Sequence, residues 1–333
     1  MNIHQGNGSA PEPPLRIGVS ACLLGQPVRY DGGHKHDRWI TGELGRYVEF
    51  VPVCPEVEAG LGVPREAMRL VGDPAAPRLV TVNTKRDMTT AMTQCAARRV
   101  EELAGEDLCG FIFKNKSPSS GMARVKVYPE EGGMPAHTGV GLFAKAFMER
   151  FPLLPVEEEG RLCDARLREN FIERIFVLRA WRDMLDAIPG EDAAGLSREL
   201  TRFHARHKLL IMAHSPSHAR LMGALAADAK GKAPKELLDA YEKLLLEALG
   251  RLATTARNVN VLQHMAGYFR KLATQDERAE LAEVIEAYRA GLVPLIVPVT
   301  LVKHHVRKHG VEYLAGQVYL NPHPLELKLR NYY

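Results

Sequence analysis

Ile17-Gly-Val-Ser-Ala-Cys22 runs directly into Leu23-Leu-Gly-Gln-Pro-Val-Arg-Tyr-Asp-Gly32, so an apolar strand ends on a cysteine and a polar, glycine-bearing turn. The arrangement recurs twice. Phe50-Val-Pro-Val-Cys54 passes into Pro55 and Glu56, and Phe111-Ile-Phe-Lys-Asn115 passes into Lys116-Ser-Pro-Ser-Ser-Gly121. Near-continuous apolar runs are what parallel strands covered on both faces require. Strands are expected over 16–20, 48–53, 79–82 and 110–114. A helix is expected over 87–104, capped by Asp87 or Thr89 and stopped by Gly105, and another over 142–151. The alternation implies an α/β domain with a parallel sheet. Ligands of such sheets bind beyond the carboxyl ends of the strands, so the three turns should meet in one crevice with Cys22 and Cys54 facing each other across it.

Beyond residue 162 helical periodicity takes over, with helices expected over 165–187, 196–213, 217–229, 235–256, 259–273, 275–290 and 299–308. The expected order is a flexible leader (1–14), an N-terminal parallel-sheet α/β domain (15–155), and an all-α helical domain (160–333). Pro152, Pro155 and the acidic run Glu157, Glu158, Glu159 read as the linker between them. A chain of 333 residues accommodates two cores. With 46% hydrophobic and 25% charged residues, disorder is excluded. The longest apolar run, 292–302, is broken by Pro294 and Pro298 and falls short of the roughly 20 residues of a membrane span. The start of the chain has no secretion-signal pattern, so a cytoplasmic protein with no membrane partner is expected. The net charge of +4 is uneven, with an excess of two anions up to residue 160 and of six cations after it. That permits a polyanionic partner without requiring one.

In a reducing compartment the five cysteines, an odd number, point to buried, reactive or metal-binding thiols rather than disulfides. Two thiolates at strand tips suit a soft metal centre, and spacing leaves zinc, copper(I) and iron–sulfur clusters open. Structural zinc usually shows paired ligands, which this half lacks. Inert burial is the competing reading for both thiols.

The strings Ser20-Ala-Cys-Leu-Leu-Gly25, Val28-Arg-Tyr-Asp-Gly-Gly33, Val53-Cys-Pro-Glu56 and Lys116-Ser-Pro-Ser-Ser-Gly121 together resemble the thiouracil desulfidase family across nearly all of residues 15–150. The remainder resembles the helical domain often fused to that family. Its cues are His207-Lys208, Arg257-Asn-Val-Asn-Val-Leu-Gln-His-Met-Ala-Gly-Tyr268, Pro294-Leu-Ile-Val-Pro298 and Pro322-His-Pro324. The resemblance implies a 4Fe-4S cluster held by three protein ligands, with one iron open to the sulfur of a thiolated pyrimidine. In the fused form it implies 4-thiouridine within tRNA as substrate. Cys22 and Cys54 are two of the expected ligands. At the third turn Ser120 stands where the family pattern has cysteine, so the third ligand is Cys109 or Ser120. Cys109 ranks first because thiolate is much the better iron ligand, although it precedes its strand.

Glu56 is the expected general acid–base group and Ser117 the group that orients substrate or water. Arg29, Tyr30, Asp31, Lys116 and Gly121 are the expected substrate contacts. Each has an ordinary structural reading beside this one: a helix cap for Glu56, a turn for Ser117, a plain loop at 29–33. In the helical half, Lys303-His-His-Val-Arg-Lys-His309 with Tyr313, Tyr319, Tyr332 and Tyr333 mixes cations and aromatics as RNA-binding surfaces do, or forms a solvated helix end. Arg257, Asn258, Asn260, Gln263 and His264 are either RNA contacts or a core network. His204, His207, His214 and His218 are not expected to hold a metal. Rival functions are desulfuration of free thiouracil or thionucleosides, and a non-catalytic iron–sulfur RNA-binding redox sensor.

Overall fold

The computed structural model describes residues 15–188, 193–228 and 233–332; the expected leader and Tyr333 lie outside them. The chain divides between Arg150 and Phe151 into two compact units.

In the first unit, β1 (Arg16–Ser20) pairs in parallel with β2 (Glu49–Val53) on one side and β5 (Leu108–Phe113) on the other. All three lie within two residues of the apolar runs that announced them. β5 is buried along its whole length, which is why it reads as apolar without alternation. Close packing sets one residue of β1: a Cβ on Gly18 would lie 2.2 Å from the Phe111 ring. Phe111, Phe113, Phe143 and Phe147 are buried together, with ring centroids 4.3 Å apart for Phe111–Phe113 and 4.7 Å for Phe111–Phe147. The helix α2 (Thr89–Ala104) buries Met92, Cys95, Ala96, Val100 and Leu103, one stripe at helical spacing. Beyond β2 comes a single helical turn, α1 (Pro55–Glu58), and α3 (Leu142–Arg150) ends the unit.

A single sheet was expected here, and there are two. β4 (Arg78–Thr81), which covers the expected strand at 79–82, joins β3 (Met68–Val71), β6 (Val125–Tyr128) and β7 (Ala136–Gly139) in a mixed sheet of order β4-β3-β6-β7. β3 runs antiparallel to β4 and parallel to β6, and β6 runs antiparallel to β7. The other three strands, β3, β6 and β7, escape a search for apolar runs because their patterns are short and interrupted. Met68-Arg-Leu-Val71 and Val125-Lys-Val-Tyr128 carry a charge inside the pattern, and Ala136-His-Thr-Gly139 has no apolar repeat at all.

The second unit is helical, as expected, apart from the three-residue strand β8 (Val156–Glu158). Its helices are α4 (Ala165–Asp186), α5 (Ala193–His214), α6 (Pro216–Ala227), α7 (Pro234–Leu249), α8 (Thr255–Tyr268), α9 (Gln275–Arg289), α10 (Ile296–His309) and the short α11 (Glu312–Ala315). In the acidic run Glu157 and Glu158 are buried, and Arg161 donates to Glu157 at 2.6 Å. The helix expected over 235–256 stops at Leu249, and Thr254 caps α8 by accepting from the Arg257 amide. Arg330 inserts its guanidinium between Glu169 and Glu173 of α4, at 2.9 and 2.8 Å. No helix of the described residues is long and apolar enough to cross a membrane.

Candidate active site

The tips of β1, β2 and β5 open onto a cavity of about 360 Å³ in the first unit. Cys22 and Cys54 both line it, together with Glu56, Ser117 and Ser120. Arg29, Tyr30 and Lys116 also border it. The backbone arranges this. After β1 the chain turns through a 3₁₀ segment (Ala21–Leu24) that ends on Gly25 at φ +87°, a conformation glycine adopts without strain. The Cys22 carbonyl then accepts the amides of Gly25 and Lys35, which ties the following loop down. Within that loop the Arg29 amide donates to the Gly33 carbonyl and the Gly32 amide to the Arg29 carbonyl, at 3.1 and 2.9 Å.

Cys54 sits before α1, and its backbone amide donates to Glu58 Oε1 at 3.0 Å. Glu58 therefore serves the helix start, and Glu56 turns to the cavity. Burial, and then the neighbouring Glu56 charge, push the Cys54 thiol up to about 12. In that protonated form its Sγ donates to Glu56 Oε2 at 3.5 Å. Glu56 Oε1 accepts from the Ser119 hydroxyl at 2.5 Å, and Arg65 lies 3.9 Å from Oε2. Ser117 Oγ stands 2.9 Å from Ser119 Oγ and accepts the Ser120 amide at 3.1 Å. Ser117 thus reaches Glu56 through Ser119, a residue that sequence reasoning passed over. It is fully buried between two singled-out neighbours, and no local pattern marks it.

Two expected contacts do not border the cavity. Asp31 turns to its own loop, accepting the Gly33 amide at 3.0 Å with Arg29 at 3.6 Å. Gly121 is buried behind the turn, where a Cβ would lie 2.5 Å from Val125 and 2.8 Å from the Ser117 carbonyl. Its role there is to let the chain pass. Lys116 adopts a left-handed φ of 58° at the head of that turn.

Cys109, ranked first as third ligand, is corrected by the fold. It lies in an irregularity of β5 between the pairs Arg16–Leu108 and Ile17–Gly110, completely buried at the end of the strand away from the cavity. Phe113 lies four residue steps further along the strand, about 13 Å at roughly 3.3 Å per residue. Ser120 borders the cavity instead. Cys95 is buried on α2 and donates to the Pro55 carbonyl at 3.7 Å, and Cys163 is exposed in the second unit. Two cysteines and one serine are therefore the candidate ligands at this cavity. Five cations (Arg29, Lys35, Arg65, Lys114 and Lys116) border it against two carboxylates, Glu56 and Glu66. Such a wall favours an anionic occupant.

In the second unit the expected basic–aromatic surface is partly interior. Tyr319 is buried and donates to Asn258, whose amide donates to Tyr288, so Asn258 belongs to a core network. His264 is exposed. Tyr313 is half-exposed and stacks on Tyr268, with ring centroids 5.3 Å apart. His204 pairs with Tyr241, His207 with the Phe203 carbonyl, His214 with Glu173 and His218 with Ser215.

Comparison with known proteins bears on the same residues. Residues 17–159 match the family model of 2-thiouracil desulfurase, and residues 208–324 match that of a protein of unknown function, DUF1722. YbgA of Escherichia coli (strain K12) is 33% identical over 139 residues, which cover 41% of this chain and 82% of YbgA. A solved structure of TudS, described as a 4Fe-4S-dependent thiouracil desulfidase, is 32% identical and covers 45% of this chain and 93% of its own, with a TM-score of 0.35. The three cysteine- and serine-bearing turns all fall inside the first matched segment, and the chain belongs to the 2-thiouracil desulfurase family, with a DUF1722 region in its second half.

Proposed function

We propose that this chain is an iron–sulfur desulfidase that converts the C=S of 4-thiouridine in tRNA to C=O. The observation that carries the reading is that Cys22 and Cys54, from two different strand tips, border one cavity with Glu56 beside them. The donor set fits an iron–sulfur group. Two soft sulfurs are available, Ser120 Oγ offers a third ligand, and the surrounding cations offset the negative charge of thiolates and sulfides. Cys22, Cys54 and Ser120 are the residues that would hold the 4Fe-4S cluster. Once bound, the cluster supplies Lewis-acid polarisation of the thiocarbonyl.

The remaining chemistry belongs to the chain. The overall change is C=S plus water to C=O plus hydrogen sulfide, with no net electron transfer. Glu56 takes the proton of the attacking water and returns it to the departing sulfur. Ser119 and Arg65 hold its carboxylate, and Ser117 positions Ser119. Arg29 and Lys116 meet the nucleotide's phosphates, and Tyr30, 44% exposed, offers a stacking face at the mouth. Residues after 160 carry the excess of six cations, and the second unit the exposed Tyr268–Tyr313 pair, both suited to an RNA.

Anaerobic reconstitution followed by sulfide release from thiolated tRNA and from free 4-thiouracil tests the reading. Faster release from tRNA is expected, and equal or faster release from the free base overturns the RNA assignment. Glu56→Ala is expected to lose a factor of roughly 10² to 10⁴ in turnover with iron and sulfide content retained. Full turnover in that variant overturns the role of Glu56, and no turnover in the unaltered, cluster-loaded chain leaves a non-catalytic iron–sulfur protein. Ser120→Ala is expected to lower iron content and Cys109→Ala to leave it unchanged; the reverse result overturns the ligand set.

A further inference from the structure

Three potential ligands meet in the second unit, outside the first unit's cavity. His305 and His309 stand one turn apart on the same face of α10. Glu277 stands at the third position of α9, where it closes a reciprocal cap with Thr274. One ligand atom from each of the three lies within 4.8 Å of the other two. The site is partly prepared. Glu277 Oε2 accepts the Thr274 amide at 2.7 Å and faces His309 Nε2 at 3.7 Å, and Lys308 holds the other oxygen, Oε1. His305 is only 2% exposed. Its ring lies against Phe269, with centroids 5.5 Å apart, and is stacked nearly parallel to His309, with centroids 5.8 Å apart.

Among the described residues neither ring nitrogen of His305 has a hydrogen-bond partner, and neither does Nε2 of His309. An imidazole buried with both nitrogens unpaired is costly, because desolvation is not offset by any bond. A packed ring stack accounts for the position of the ring but leaves those nitrogens unexplained. A second trio, Glu169, Glu173 and His323, shows the contrast, since the Arg330 guanidinium already supplies its positive charge.

We propose that Glu277, His305 and His309 form a binding site for a divalent transition-metal ion, zinc being the best match, that clamps the start of α9 to the end of α10. Two imidazoles and a carboxylate are a donor set that zinc takes, whereas calcium and magnesium select oxygen. Bonds of about 2.0–2.2 Å in a tetrahedral site place ligand atoms roughly 3.4 Å apart, so side-chain rotation closes the trio. Water completes the fourth position. Lys308 remains on Oε1 and keeps the carboxylate oriented, as outer partners of metal ligands do.

The full chain carrying Cys22→Ser and Cys54→Ser, which removes the two sulfur donors of the first unit's cavity, is titrated with zinc chloride by calorimetry and thermal unfolding. One ion per chain at micromolar or tighter affinity is expected, with a rise in the unfolding midpoint. His309→Gln and Glu277→Gln in that background are each expected to weaken binding at least tenfold. Both are partly exposed, so they hold the test even if the buried His305→Gln variant misfolds. Cobalt(II) serves as a second probe, with tetrahedral visible bands expected only when all three ligands are present. Unchanged zinc affinity in both variants, or no saturable binding in the parent, overturns the site.

Discussion

Cys54 shows what one side chain's surroundings do to its chemistry. Burial and the Glu56 charge favour the neutral thiol, and its folded-state pKa of about 12 lies above the ordinary 9.0. The sign follows from linkage. The neutral thiol contributes stability fully below pH 9, and that contribution is lost as pH rises through about 12. In the cluster-free chain, alkylation of Cys54 is therefore expected to keep accelerating roughly tenfold per pH unit beyond pH 9, where an ordinary thiol levels off. Peptide mapping after iodoacetamide treatment reads this directly, with the exposed Cys163 as internal reference. Levelling of Cys54 at the same pH as Cys163 would contradict the electrostatic account.

Among the elements, β1 sets the geometry of the site because it is central among the three parallel strands that deliver the turns. Its place depends on a residue with no side chain. Phe111 of β5 occupies the volume a Cβ on Gly18 would need, and with Phe113, Phe143 and Phe147 it is fully buried. Gly18→Ala is expected to destabilise the first unit by about 1–3 kcal/mol through overpacking, read as a lower denaturant midpoint. An unchanged midpoint would show that the strands separate to admit a methyl group at no cost. The edge elements behave differently. β7 is mostly exposed and short, so its pairing with β6 rather than any apolar pattern defines it.

At the scale of the whole chain, long-range charge pairing closes the second unit. Arg330 lies 161 residues from Glu169 and 157 from Glu173, and all three are buried. Burial alone would raise the Glu173 carboxyl, but the His214 hydrogen bond and the Arg330 charge bring it down to about 2. Arg330→Ala leaves those carboxylates in the interior without their cation. The expected loss is about 3–5 kcal/mol, measured by chemical denaturation. A loss below about 1 kcal/mol, the range of an exposed pair, would mean that water enters and solvates the carboxylates.

Much of this was legible in the chain. Apolar runs marked β1, β2 and β5, helical periodicity marked nearly every helix of the second unit, and the strand-to-turn pattern brought Cys22 and Cys54 to one crevice, because period and breaker residues act locally; Ser120 came from the family resemblance and ranked behind Cys109. Four features required the tertiary structure. The mixed sheet is built from four-residue strands stabilised by pairing. Ser119 takes part in the site only through a partner 63 residues away. Cys109 is set aside by direction along a strand, which composition does not carry. The meeting of Glu277 with His305 and His309 depends on how two helices pack, and packing is decided by contacts between segments distant in sequence.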